Sequence, residues 1–199
     1  MGHGKYLDPI PAEKEVVTVG SGERLEFSYV ILPGESRELD LVIDLVGEGA
    51  EVDVKCLYLS RSGDRVRIRI LVHHRAPGCR SRQLVCGIAA TGADVRFDGR
   101  IVVAPGAQQT EAYQENHNIL LSEGARVETL PSLEIYADDV KCSHGATVGQ
   151  LDADALFYMR SRGISEAEAK RLQMLSFLSP VIPEGREEEV TAALFSLPS

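Results

Sequence analysis

Cys142 and His144 stand two residues apart in the run Val140-Lys141-Cys142-Ser143-His144-Gly145-Ala146-Thr147-Val148. On a regular strand that spacing turns both side chains to one face. A thiolate beside an imidazole can ligate iron or receive transferred sulfur. The same parity takes in Val140, Ala146 and Val148, so the pair also reads as an inward row with a packed cysteine and a hydrogen-bonded histidine. A thiol among apolar neighbours is a poor thiolate, which ranks His144 ahead of Cys142.

The other candidates are weaker. His73 and His74 are adjacent and face opposite sides of a strand, so one metal cannot take both; one is expected in solvent and the other packed. His117, between Asn116 and Asn118, reads as a hydrogen-bonding group at a chain corner, and His3 lies near an end expected to fray. Glu134, Asp138 and Asp139 raise the rival of a carbohydrate-cleaving enzyme that works with carboxylates. Asp138-Asp139 reads more simply as a turn, and aromatic residues suited to stacking on sugars make up only 6% of the chain, with no Trp. Four cysteines, Cys56, Cys79, Cys86 and Cys142, include no C-x-x-C pair, so neither a disulfide framework nor a zinc ribbon is supported. They are expected as free thiols, with Cys56 and Cys86 packed and Cys79, in Pro77-Gly78-Cys79, more exposed. The first fifteen residues hold no apolar stretch of signal-peptide length, and the chain is read as cytoplasmic.

The elements that position these residues divide near residue 150. Of 18 glycines, 16 lie at or before Gly149, and of 19 valines, 17 do. Valine suits pleated surfaces and glycine marks turns, so residues 1–150 are expected as β structure and 151–199 as helical. Leu41, Ile43 and Leu45 share one parity, as do Val52, Val54 and Cys56, then Val66, Ile68 and Ile70, then Leu133 and Ile135. Each set gives a strand one apolar face. Gly-Ala plus a polar residue recurs at Gly49, Gly92, Gly106, Gly124 and Gly145, spaced by 43, 14, 18 and 21. This fits a solenoid with coils of unequal loops, the 43 being two coils, with a narrow interior of Val, Ile, Leu and Ala. It fits an antiparallel sandwich as well.

After residue 150, Asp152 is placed to cap one helix closed by Gly163, Ser165-Glu166-Ala167-Glu168 is a capping box, and a last helix runs from about Glu187 to Phe195. Leu172, Leu175 and Leu178 are expected as the second helix's apolar stripe, and the helices to pack on the end of the β region, on another protein, or on both. The charge balance, 21 basic against 30 acidic residues for a net −9, opposes nucleic-acid binding. No apolar run nears the roughly 20 residues of a membrane span.

From Gln114 onward, Pro131-x-Leu133-Glu134-Ile135, then Ala137-Asp138-Asp139-Val140-Lys141-Cys142-Ser143-His144-Gly145-Ala146-Thr147, then Leu156-Phe157-Tyr158-Met159-Arg160-Ser161-Arg162-Gly163 closely resemble the C-terminal core of the SufB/SufD family, scaffold subunits of iron–sulfur cluster assembly. Lys-Cys-Ser-His-Gly-Ala-Thr looks like the SufD branch. Typical members are longer and carry a helical N-terminal region without counterpart in this sequence.

The resemblance implies a mainly β fold: a right-handed parallel β-helix, 1–150, with a small C-terminal helical domain, 151–199, that docks an ABC-type, SufC-like ATPase. It implies a second SufB/SufD-type subunit or a homodimer, a cysteine desulfurase system acting indirectly, and a transient iron–sulfur cluster near His144; Cys142 stays a lesser candidate that rests on its spacing alone. Arg160, Arg162, Leu156 and Phe157 are the expected docking residues; Arg160 and Arg162 also suit the end of a helix, where they complement its dipole. With no G-x-x-x-x-G-K-[ST] in the chain, ATP hydrolysis would belong to the partner and the protein would be a scaffold, not an enzyme. The alternative is a truncated β-helix module that dimerises and binds the ATPase without carrying a cluster.

Overall fold

The computed structural model describes residues 3–6, 14–34 and 36–197; expectations that fall on residues 1–2 and 7–13, and on the side chain of His3, lie outside the described residues. Eleven strands precede three helices: β1 (His3–Tyr6), β2 (Glu15–Val19), β3 (Arg24–Ile31), β4 (Arg37–Leu45), β5 (Glu51–Ser60), β6 (Arg65–His74), β7 (Arg80–Ala89), β8 (Asp94–Val103), β9 (Thr110–Leu120), β10 (Arg126–Ile135) and β11 (Val140–Gly149), then α1 (Ala153–Ser161), α2 (Glu166–Leu178) and α3 (Glu187–Phe195). Odd strands form one parallel sheet in the order β1-β3-β5-β7-β9-β11, and even strands a second in the order β10-β8-β6-β4-β2. The chain passes from one sheet to the other at every corner, which makes a β-solenoid of about five turns and excludes the antiparallel sandwich. His3 pairs with Leu25, 22 positions on, and Asp94 with Arg126, 32 positions on, so the coil length varies within those limits. His3, expected to fray, has its backbone paired with Leu25.

Each apolar parity set faces the interior. Leu41, Ile43, Leu45, Val52, Val54, Cys56, Val66, Ile68 and Ile70 are all buried in one continuous core. On the outer face of the odd-strand sheet, the register stacks Arg24, Glu51, Arg80, Glu111 and Lys141 one per coil, with ion pairs of 3.8, 3.6, 3.6 and 3.2 Å between successive members. Pairs this exposed contribute little individually, but a one-residue slip would send every one of them inward.

The expectation of a narrow interior made of Val, Ile, Leu and Ala is corrected. Phe27, Tyr29, Tyr58 and Phe97 are essentially inaccessible, and all lie in the core. Space for two of them comes from missing side chains. A Cβ on Gly87 would overlap the Tyr58 ring, and one on Gly99 would meet Phe97 and Gln114.

The corner spacing is also resolved. Two separate columns of corners alternate along the chain, so Gly49 to Gly92 is one and a half coils rather than two, the intervals of 14 and 18 are half coils, and Gly145 lies inside β11 rather than at a turn. In one column the amide of Gly22 donates to Glu48 O, Gly49 to Pro77 O, Gly78 to Gln108 O and Gln109 to Asp139 O. The first three residues have φ of 62°, 68° and 68°, and Gln109 takes the same position with φ 59°. A residue with a Cβ is strained there and glycine is not. Gln109→Gly should therefore raise stability by about 0.5–1 kcal/mol, the unfolded-state entropy of glycine offsetting part of the relieved strain; a lower urea midpoint than wild type would contradict this.

The helices begin as their sequence signals require. The Asp152 side chain accepts from the amides of Asp154 and Ala155, and Ser165 Oγ accepts from Glu168 N. Their placement differs from the expectation. Instead of capping the solenoid end, α2 and α3 lie on the outer face of the odd-strand sheet, where Met174, Leu178, Val190 and Leu194 share an apolar cluster with Leu57, Leu59, Cys86, Ile88 and Ile119. Those strand residues have outward parity, and their apolar side chains are what the helices cover. The buried face of α2 is Ala169, Met174 and Leu178, while Leu172 is exposed. No helix among the described residues is long and apolar enough to cross a membrane.

Candidate functional site

The last coil, β10 and β11, lies at the end of both sheets, and its inward side chains have no further coil above them. Cys142 and His144 are both in this row. His144 stands opposite Gln114 of β9, and Cys142 opposite Ala112. Gln114 and Ala112 are fully buried whereas His144 is exposed and Cys142 half-buried, because they belong to the final layer. Ile135 and Val148, of the same inward parity, are 41% and 43% exposed. The interior of the solenoid thus opens at this end as a surface that mixes apolar side chains with Cys142 and His144.

Cys142 packs against the cluster of Ile101, Val103, Ala107, Ala112 and Ala137. Burial raises its thiol above the ordinary range, and a hydrogen bond from the Ala112 backbone opposes this. Among the described residues, no group of three or more His, Cys, Asp or Glu is arranged to hold a metal ion. At this end the described residues bring one thiol and one imidazole, Cys142 and His144, into a single row, two donors of the kinds that iron accepts.

Below the open end the interior is polar, which the sequence reading missed. Gln83, Gln114, Asn116 and Asn118 are buried. Gln114 Nε2 donates to Gln83 Oε1 at 3.0 Å, Asn118 Nδ2 to Asn116 Oδ1 at 2.8 Å, and the Tyr58 hydroxyl to Asn118 Oδ1 at 2.5 Å. Gln83 Nε2, Gln114 Oε1 and Thr129 Oγ1 are buried without a partner. The signal lies in their spacing: Gln114, Asn116 and Asn118 share one parity.

The remaining candidates are accounted for by local structure. His73 faces outward with Nδ1 2.8 Å from Asp44, while His74 is fully buried with Nε2 2.8 Å from Ser81 Oγ. His117 is not at a corner. It lies on the outer face of β9, between Thr147 Oγ1 at 2.9 Å and Glu115 at 3.3 Å. Glu134 pairs with Arg100 at 3.3 Å, and Asp139 belongs to the corner column, its amide donating to Gln108 Oε1 at 2.9 Å. All four cysteines are free. Cys79 is buried, contrary to expectation, its Sγ 3.2 Å from Gly47 O. Burial pushes the Cys86 thiol up to about 12 and raises Cys56 and Cys79 as well, leaving no activated thiolate among them.

On α1, which buries no residue, Phe157 and Tyr158 are 75% and 58% exposed and Leu156 is half-buried. Arg162 stacks over the Tyr158 ring at 5.2 Å and donates to its hydroxyl at 2.8 Å. Arg160, in the last turn, pairs with Glu166 at 3.4 Å. Gln173 clamps the start of α1 to α2 by exchanging two 2.9 Å hydrogen bonds with the Asp152 backbone. The apolar side chains of α1 are thus presented on a fixed support.

Residues 11–177 match the family described as SUF system FeS cluster assembly, SufBD core domain. The chain is 38% identical over 144 residues to the iron–sulfur cluster assembly protein SufD of Escherichia coli, covering 72% of this chain and 34% of that protein. It is 30% identical over 178 residues to SufD of Bacillus subtilis, covering 89% and 41%. To the chloroplastic protein ABCI7 of Arabidopsis thaliana it is 42% identical over 123 residues, covering 61% and 26%. The chain thus spans less than half the length of these relatives.

Proposed function

The chain belongs to the SufBD core family of SUF-system iron–sulfur cluster assembly proteins, and from that premise we propose that it is a scaffold subunit that receives or passes on a cluster at the open end of its solenoid. The observation that carries this reading is the placement of His144 and Cys142 in the inward row of the last coil, which no further coil among the described residues covers. The cluster is cargo. His144 supplies an imidazole ligand to it, Cys142 a thiolate once metal displaces the thiol proton, and a second subunit supplies the rest. That subunit, another SufB/SufD-type chain or a second copy, seats on the exposed Ile135 and Val148 and pairs with the open edges of β10 and β11. Phe157, with Leu156, Arg160 and Arg162 around it, is the docking patch for an ABC-type ATPase, which provides the energy the chain itself has no P-loop to harvest. Free cysteines fit a reducing compartment and hence the cytoplasm.

The test is anaerobic reconstitution with iron and sulfide of the complex of this chain, its partner subunit and the ATPase. His144→Ala should lower cluster absorbance by about tenfold or more, on the scale of losing metal-site support, while leaving the complex assembled. Unchanged absorbance would sink the ligand assignment, and co-purification insensitive to His144 and all four cysteines would select the interaction module instead.

A further inference from the structure

Gln114 lies directly beneath His144 in the strand register, one coil inward. It is fully buried, and its carboxamide is held in place: Nε2 donates to Gln83 Oε1 at 3.0 Å, and the absence of a side chain at Gly99 makes space for the amide. What remains is Oε1, buried and without a partner. Leaving a buried acceptor unpaired costs about 1–3 kcal/mol, so the site favours any neighbour that brings it an N–H. Stacked strands put successive inward side chains about 4.8 Å apart, and the residue one coil above is an imidazole with one N–H to give in its neutral form.

We propose that Gln114 is a positioning residue for His144. A turn of the His144 side chain that brings a ring N–H onto Oε1 gives that atom the partner it lacks, fixes the tautomer, and leaves the lone pair of the second ring nitrogen facing the open end, where iron would bind. The same device, a ligating histidine donating its other nitrogen to an oxygen acceptor, orients many metal ligands. Gln83 extends it by one coil, because its Oε1 occupies Gln114 Nε2 and so presents the acceptor, rather than the donor, to His144. This inference rests on the reading of His144 as a ligand, but its first readout is independent of any cluster.

Nitrogen-15 NMR of the 199-residue chain without metal should show one dominant His144 tautomer with a slowly exchanging ring N–H. Gln114→Met, which removes the acceptor at similar volume, should mix the tautomers and speed exchange, and Gln114→Glu should preserve the lock. In the reconstituted complex, Gln114→Met should weaken uptake of Fe²⁺ by about 10–100-fold. Mixed tautomers in the wild-type chain overturn the proposal even if no variant folds, as does a tautomer ratio that Gln114→Met leaves unchanged. A locked tautomer together with normal assembly in His144→Ala would uphold the hydrogen bond and refute the ligand reading instead, so the two failures are distinguishable.

Discussion

Gly87→Ala should destabilise the protein by about 3–5 kcal/mol, as much as deleting a buried aromatic side chain. Tyr58 and Gly87 are register partners on β5 and β7, and Gly87 and Asn118 on β7 and β9. The Tyr58 ring therefore lies across Gly87 and reaches two coils, its hydroxyl ending 2.5 Å from Asn118 Oδ1. A Cβ on Gly87 would come within 2.0 Å of the Tyr58 ring atoms, so the tyrosine must leave. Its departure uncovers the core and removes a hydrogen bond that also organises Asn116. Typical domains are stable by about 5–15 kcal/mol in total, so the variant should be marginal. The mechanism makes a second demand: in the Gly87→Ala background, Tyr58→Ala should cost little more, a coupling far above the 0.3–0.5 kcal/mol error of additivity. Additive losses in urea unfolding of the single and double variants would refute the stack.

Neither Gly87 nor Tyr58 could be paired from the sequence, for the reason that governs most of what was not legible. Alternation is a property within a strand, so Val52, Val54 and Cys56 announce their face without reference to anything else. What lies above a given side chain depends on the register between coils about 30 residues apart, and the corner signals that would fix it fall in two interleaved columns. Read as one series, the glycines gave spacings with no common period. In the first column the period would have been visible from Gly22, Gly49 and Gly78, except that Gln109 breaks it by adopting a glycine conformation. The position of the helices was hidden similarly: Leu57, Leu59 and Ile88 are outward residues, and only the sheet as a whole shows that they form one apolar field for α2 and α3.

At the candidate site, the shared face of Cys142 and His144 followed from their spacing, and the strand places both in one row. Their difference in exposure did not follow, because it depends on which coil is last. The polar interior beneath them was missed for a more specific reason. Gln114-Glu115-Asn116-His117-Asn118 is polar at every position, so a test for apolar alternation returns nothing, although β9 alternates in burial there as strictly as any strand. Polar side chains can occupy such an interior because strands stacked coil on coil place the same parity in line, letting one amide satisfy the next.

A second large effect is expected on acidification, between about pH 6.5 and 4. His74 is fully buried at the end of β6, its Nε2 bonded to Ser81 Oγ and its Nδ1 without a partner. Burial holds the imidazole down to about 4, against 6.5 in the open. Above pH 6.5 the ring is neutral in both folded and unfolded chains and contributes no pH dependence. Below it the unfolded chain takes up a proton that the folded chain refuses until about pH 4, so stability falls across this window, by roughly 3 kcal/mol in total. The carboxylates act elsewhere. Asp94, bonded to Arg67, and Asp44, whose burial is outweighed by hydrogen bonds from Arg75 and His73, are held below the usual range, so their contribution is lost only as pH falls below about 4. Asp53, raised by burial, works in the opposite sense just above that point. Urea unfolding at pH 7.5 and 4.5 isolates the histidine by comparison with His74→Gln, which can keep a bond to Ser81 but cannot take up a proton. The variant should lose far less stability between the two pH values than the wild type, and equal losses would show that His74 is not the source of the acid sensitivity.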